Sequence, residues 1–357
     1  MSVPLLPDEI LSSWLVRTAL VQGCDPMTLT GWLWPGWRAW TVDIDRSISD
    51  ERLERLSRAA GIPVEKLRPA TLAPAGARVV RSQSGRGTMP WIMVTGARNR
   101  KRRTGIQICP ACLADDSRPY CRIQWRLAWH AACPTHLVVL LDRCPECGSP
   151  VQPHRLEAES VDMARCHACG FDFRRAPAAK AEEAALAFQR EADMAVMRNR
   201  GAYGSMAGPA CEWFALARFV IGIVRKAGAL RLDVLDRMLA RLGVDAGALP
   251  VPETGLALEM LPPRERAGLF AAVWKIMEAG PDGLADAAGS AGATLRTLTD
   301  KPRRMPSALL ASVWQAVPSG IPRRKRNAVS SGFRPKSKRA VMRQWARLQR
   351  KWAAEES

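Results

Sequence analysis

Cys109-Pro110-Ala111-Cys112, Cys133-Pro134-Thr135-His136, Cys144-Pro145-Glu146-Cys147 and Cys166-His167-Ala168-Cys169 follow one another in the chain. Each pair has two residues between its ends. That spacer lets both side chains converge on one ion, and an adjacent Pro or Gly favours a tight turn that aims backbone amides at thiolates. Consecutive pairing gives two tetrahedral zinc sites, one of Cys109, Cys112, Cys133 and His136, the other of Cys144, Cys147, Cys166 and Cys169. Free thiols or a redox couple are the plain alternative, and four regularly spaced pairs argue against it. A catalytic zinc keeps one position open for water; four protein ligands per ion make both zinc ions structural. The block shows few other apolar anchors, so chelation is expected to supply much of its folding free energy, roughly 10 kcal/mol or more per ion.

Cys24 and Cys211 are lone thiols on apolar helix faces, where a buried thiol is commoner than a ligand. Cys121, His130, His154 and His167 lack a matching partner and are read as bystanders, with His167 the nearest substitute ligand.

Outward from this block, the 357 residues are 47% hydrophobic and carry a formal charge of +19. That length suits two or three domains with ordinary cores. The charge makes nucleic acid the default partner, because Lys and Arg displace counterions from phosphates. The most apolar run, Trp213 to Val224, is interrupted by Arg218 and too short to span a bilayer, and the first nine residues do not read as an export signal. Cysteines in Cys-x-x-Cys pairs in an unexported chain point to metal and to the reducing cytoplasm, with the nucleoid as the working place.

The fold expected is mainly α with small zinc-ribbon-like β elements. An N-terminal helical region (1–77) opens with Asp8 as a cap before Ile10, Leu11, Trp14 and Leu15 on one face. It continues from Ser49 to Leu67, where Ala59-Ala60-Gly61 resembles the tight turn of a helix-turn-helix. The tandem zinc module occupies 78–175, and its Arg- and Gly-rich opening is predicted to be a loop. A helical bundle is expected over 176–321, with segments at 182–198, 211–227, 232–242, 264–279 and 307–317. Within it, 284–289 followed by 295–298 echoes the first helix-turn-helix. A basic tail, 322–357, is expected to order only against a polyanion. Nucleic-acid contacts are assigned to Arg100, Lys101, Arg102 and Arg103, and in the tail to Arg323, Arg324, Lys325, Arg326, Lys336, Lys338 and Arg339.

Thirteen tryptophans include Trp32, Trp34, Trp37 and Trp40 among basic residues and glycines. Stacking on bases is one use for them, and core or interface packing is the favoured one. No Gly is followed directly by Lys and no Gly-x-Ser-x-Gly occurs, so phosphate-loop and nucleophile-elbow enzymes are excluded. The chain reads as non-catalytic.

The run Cys109-Pro-Ala-Cys112 through Asp116, with Pro119-Tyr120, Arg126-Leu127, Cys133-Pro-Thr-His136 and Cys144-Pro-Glu-Cys147-Gly148, resembles the TniQ/TnsD family of transposon target-selection proteins. The opening Pro7-Asp8-Glu9-Ile10-Leu11-Ser12-Ser13-Trp14 with Arg17 is similar too, and the resemblance covers about the first half. It implies a transposition adaptor that engages target DNA or a CRISPR guide-RNA effector complex. Such an adaptor recruits a AAA+ regulator of the TnsC/TniB kind and, through it, the transposase; a homodimer is a state open to it. The competing readings are an autonomous zinc-containing helix-turn-helix transcription regulator and a nonspecific basic nucleic-acid scaffold.

Overall fold

The computed structural model describes residues 3–80, 89–95, 104–249, 256–299, 317, 337–338, 341–342, 345 and 349. The chain divides into Met1–Ser319 and Gly320–Ser357. Six helices come first: α1 (Leu11–Val21), α2 (Pro26–Leu33), α3 (Ile44–Ser47), α4 (Asp50–Ala60), α5 (Val64–Leu67) and α6 (Ala73–Val79). The short α7 (Pro110–Asp115) opens the cysteine block. After it come α8 (Glu183–Arg198), a hairpin of β1 (Arg200–Tyr203) and β2 (Met206–Pro209), α9 (Ala210–Leu230), α10 (Asp233–Arg241), α11 (Pro263–Glu278), α12 (Gly280–Ala291) and α13 (Leu295–Leu298). The second unit is helical at residues 338, 341, 342, 345 and 349.

Local chemistry accounts for the best-bounded helix. Ser49 accepts a hydrogen bond from the Arg52 amide at the start of α4, Asp50 and Glu51 meet the positive end of the dipole, Arg58 meets the negative end, and Gly61 ends the helix at φ 69°. Leu53, Leu56 and Ala60 then share its buried face. The tight turn expected here forms, but the helix beyond it, α5, is only four residues long and runs into a 3₁₀ turn at Arg68–Ala70. Later in the chain, α12 ends on Gly292 at φ 72°, and α13 begins with a Thr294–Thr297 capping box.

At the N-terminus the sequence-based expectation is corrected in one detail. Asp8 does not cap α1; Ile10 holds the cap position without a side-chain bond. Instead Glu9 forms an antiparallel bridge with Arg122, and the Ile10 amide donates to the Cys121 carbonyl at 3.0 Å. The start of α1 is therefore satisfied by the cysteine block.

Two large apolar clusters fill most of the first unit, with a small third one at Ala132, Ala181 and Leu186. One packs Leu11, Trp14 and Leu15 of α1 with Leu29 and Leu33 of α2 and Leu53 and Leu56 of α4. The other runs from Ile10 and Val16 through the cysteine block to α8–α13, uninterrupted at residue 175. Its centre is aromatic: Trp129 lies 5.0 Å from Phe214, Trp91 lies 5.1 Å from Phe214, and Phe188 stacks on Phe270 at 4.7 Å. Contacts of this kind add about 0.5–1.5 kcal/mol each beyond area burial. The hairpin presses against α9 so closely that a Cβ on Gly201 would lie 2.5 Å from Trp213 Cβ, a place only glycine fits.

The cysteine block thus has the apolar anchors that its sequence seemed to lack. Trp125, Leu127, Trp129, Leu140, Val151, Leu156 and Phe173 are all buried in the shared cluster. Tryptophan serves mainly as core: Trp14, Trp91, Trp125, Trp129 and Trp213 are fully buried, while Trp32 is 65% exposed. The helix expected at 307–317 lies outside the described residues except Val317, which is buried.

Buried polar groups join the parts. The Arg266 side chain of α11 donates to the carbonyls of Ala128 and His130 and to the Gln107 side chain. Asp193 of α8 accepts from Trp129 Nε1 and pairs with His130 Nε2, both at 2.7 Å. At the other end, Arg17 Nε and Ser13 Oγ both donate to Glu9 Oε1 at 2.9 Å, Arg17 Nη2 donates to Oε2 at 2.6 Å, and the Cys121 amide donates to Ser13 Oγ at 2.8 Å. Because Glu9 and Arg17 are both buried, removing one partner strands the other's charge. Arg17→Met is expected to destabilise the chain by about 3–5 kcal/mol, read as a lower urea midpoint; a shift within error would show that the pair is not structural.

Candidate metal centres

Each ligand pair takes its geometry from its turn. In Cys144–Cys147 and Cys166–Cys169 the amide of the following glycine returns to the first cysteine's carbonyl at 2.9 Å. Those glycines, Gly148 and Gly170, sit at φ 70° and 74°, a conformation that favours glycine. Cys133–His136 closes the same way on Leu137, which adopts φ 55° despite its side chain. One isolated bridge locks each of the three turns: Ala132 with Val139, Arg143 with Pro150, and Arg165 with Asp172. Cys109-Pro-Ala-Cys112 is built differently, with Cys109 at the N-cap of α7 and Pro110 at its first position.

The four pairs come together two by two. Cys109, Cys112, Cys133 and His136 form one group, and Cys144, Cys147, Cys166 and Cys169 the other, with ligand atoms in each within 4.8 Å of one another. In the first, Cys112 and Cys133 sulfurs are 3.5 Å apart, and His136 Nδ1 lies 3.6, 3.3 and 3.5 Å from the sulfurs of Cys109, Cys112 and Cys133. In the second, Cys144 to Cys169 is 3.6 Å and Cys147 to Cys166 is 3.7 Å. A tetrahedral ion at about 2.3 Å from sulfur and 2.0 Å from nitrogen separates its ligands by about 3.8 Å (S to S) and 3.5 Å (S to N). Both groups fit, and each can hold a metal ion.

The surroundings support ligation. His136 Nε2 lies 2.8 Å from Asp115 Oδ2; a carboxylate there holds the proton on Nε2 and leaves Nδ1 free to ligate. The His136 amide points at Cys133 Sγ (3.4 Å) and the Ala168 amide at Cys166 Sγ (3.5 Å). Hydrogen bonds from Cys109 and Cys112 hold the Cys133 thiol far below its ordinary pKa, and contacts with Cys109 and Cys133 push Cys112 far up. Bonds to Ser149 lower Cys147 to about 6. The centres differ in access: the three cysteines of the first are buried, while Cys147 and Cys169 of the second are exposed.

The remaining cysteines and histidines stay apart from both groups. Cys24 and Cys211 are half-buried, and Cys121 is buried with its thiol pushed up by desolvation. His167 adjoins a ligand without joining its group. Of the basic residues assigned to nucleic acid, Lys338 is exposed and helical, and the other ten lie outside the described residues.

What the spacing could not supply is the junction beside the first centre. Arg126 Nη1 donates to Asp45 Oδ2 at 2.6 Å and Nη2 donates to Asp43 Oδ2 at 2.7 Å, while Ser12 donates its amide and hydroxyl to Asp45, both at 2.7 Å. Trp40 stacks on His154 at 5.2 Å and 11°. The spacing of Glu9, Ser13 and Arg17 by fours, a polar stripe on an otherwise apolar helix, was a signal for part of this junction.

Two groups at the junction titrate in opposite senses. Burial raises Asp45 from 3.8 to about 6 and lowers His154 from 6.5 to about 4. A raised carboxyl stabilises the fold at low pH and loses that contribution as pH rises from about 4 to 6; a depressed histidine contributes above 6.5 and loses it as pH falls towards 4. Compared with the parent, Asp45→Asn is expected to gain stability more steeply between these pH values, and His154→Phe less steeply. Urea midpoints across that range check both, and parallel profiles would refute the assignment.

Metal content separates ligands from bystanders. Cys133→Ala is expected to lose one of two bound ions and to melt well below Cys211→Ala, which removes a half-buried thiol worth about 1 kcal/mol. Equal metal content and equal melting in the two variants would contradict the ligand set.

The family model described as TniQ matches residues 1–140. The match takes in the α1 signature, the junction apart from His154 and the first four ligands, and ends before Cys144. No curated protein matches the chain in sequence. Among the described residues, no helix is long and apolar enough to cross a membrane.

Proposed function

We propose, from the match of the TniQ family model to residues 1–140, that the chain is a transposition target-selection adaptor. It engages target DNA or a guide-RNA effector complex and recruits a AAA+ regulator, and through it the transposase, while making and breaking no bonds itself. The observation that carries this reading is the TniQ match over the very residues that build the first four-ligand group and over Asp43, Asp45 and Arg126 of its junction.

The two ions are zinc and their role is structural: thiolate-rich tetrahedral sets suit zinc, and four protein ligands leave no position for a reacting water. They hold a platform (78–175) between an N-terminal region (1–77) and a helical domain (176–321), with 322–357 as a basic tail. Arg100, Lys101, Arg102 and Arg103, with Arg323, Arg324, Lys325, Arg326, Lys336, Lys338 and Arg339, supply phosphate contacts that add affinity without reading sequence. The place of work is the nucleoid, and homodimers are compatible with the adaptor role.

The turn at Gly61 keeps a second reading in view, an autonomous transcription regulator, although the four-residue α5 offers little surface to a groove. One reconstitution separates the two. The full chain, mixed with the AAA+ ATPase encoded beside its gene and with DNA, is expected to increase the ATPase retained on DNA, and Cys133→Ala to abolish the increase. Tight sequence-specific binding to the chain's own promoter, with no effect on any ATPase, would overturn the adaptor reading.

A further inference from the structure

Between α1, the 40–45 segment and the cysteine block lies a cavity of about 50 Å³, lined by Trp40, Asp43, Asp45, Thr104, Arg126 and His154 among others. Two observations set it apart from ordinary packing. Thr104 is 2% exposed, yet its hydroxyl has no hydrogen-bond partner among the described residues, and Asp43 Oδ1 has none there either. Such groups cost about 1–3 kcal/mol each when buried unsatisfied. The charge is also unbalanced. Two carboxylates face one guanidinium, and burial holds His154 neutral near neutral pH. In a chain with a net charge of +19, this is a local negative site whose open acceptors among the described residues are a carboxylate oxygen and a hydroxyl, beside the unpartnered Nε–H of Arg126.

Size limits what can enter. A cavity that takes benzene measures about 150 Å³, so 50 Å³ excludes a nucleobase or a sugar. A few heavy atoms fit, and they must carry N–H donors and positive charge to answer Asp43. We propose that this cavity binds the guanidinium or ammonium end of a basic side chain presented by a partner protein, with Asp43 Oδ1 accepting its charge-assisted hydrogen bond and the Thr104 hydroxyl a second one. Arg126 keeps its two carboxylate partners and orients Asp43; it does not touch the ligand. The assignment stands independently of the adaptor reading.

Saturation-transfer NMR on the full-length protein tests it, with methylguanidinium and methylammonium as probes. Tetramethylammonium, which carries the same charge and no N–H, is the control. Transfer is expected to the two donor-bearing probes and not to the control. Asp43→Asn should weaken probe binding by about tenfold or more, the factor of a charge-assisted hydrogen bond, and Thr104→Val by about fivefold, that of a neutral one. Because the Thr104 hydroxyl has no partner among the described residues, Thr104→Val should melt at or above the parent temperature, so its loss of binding cannot be loss of fold. Equal transfer to tetramethylammonium, undiminished binding in Thr104→Val, or no transfer to any probe would overturn the proposal.

Discussion

The convergence of four ligand side chains at each of two points is the constraint on which the rest of the structure depends. The first closure brings Cys112 next to Cys133 across 20 intervening residues. Fixing both ends of that loop sets the direction of each face. Cys121, Arg122 and Arg126 turn towards α1 and the 43–45 segment, while Ala128, Trp129 and His130 turn towards α8 and α11. Helix α1 and the later helices thus dock on different faces of the loop between the first two ligand pairs, while α6 packs directly against α8 and α9.

This arrangement divides the energetic work. A metal bound by each four-ligand group would close its loop as the chain folds, its binding free energy offsetting the entropic cost of closure. The aromatic cluster of Trp91, Trp129, Phe188, Phe214 and Phe270 supplies apolar burial across the block and the helices. Buried polar links, Glu9 with Arg17 and Arg126 with Asp43 and Asp45, fix register, because a shift would leave charges unpaired in a low-dielectric interior. The second centre, with Cys147 and Cys169 exposed, would offer a bound metal more readily to competing chelators.

Much of this was legible in the sequence because it is local. A two-residue spacer is enough to identify a ligand pair, and consecutive pairing gave the two groups that the fold brings together. Helices α4, α8, α9, α10 and α11 announced themselves through period and caps, the starts of all five and the ends of α8 to α11 lying within three residues of expectation, while the segment read as 49–67 divides at its turn into α4 and α5. The junction was hidden because Asp45 and Arg126 are 81 residues apart, and neither is marked by its neighbours. The cysteine block looked poor in anchors because its apolar residues are scattered and gather only when helices from beyond residue 180 cover them. Asp8 looked like a cap because an acidic residue before an apolar run usually is one; here the Cys121 carbonyl meets the first amide instead.

The central claim is that both centres are closed, with every position on the ion taken by a protein side chain. X-ray absorption at the zinc edge on the purified full-length chain tests it most directly. Seven cysteines and one histidine shared over two ions predict a first shell of sulfur at about 2.3 Å with a minor nitrogen contribution near 2.0 Å. A shell with an oxygen ligand, or with fewer than four ligands, would mean an open site and would contradict the structural role.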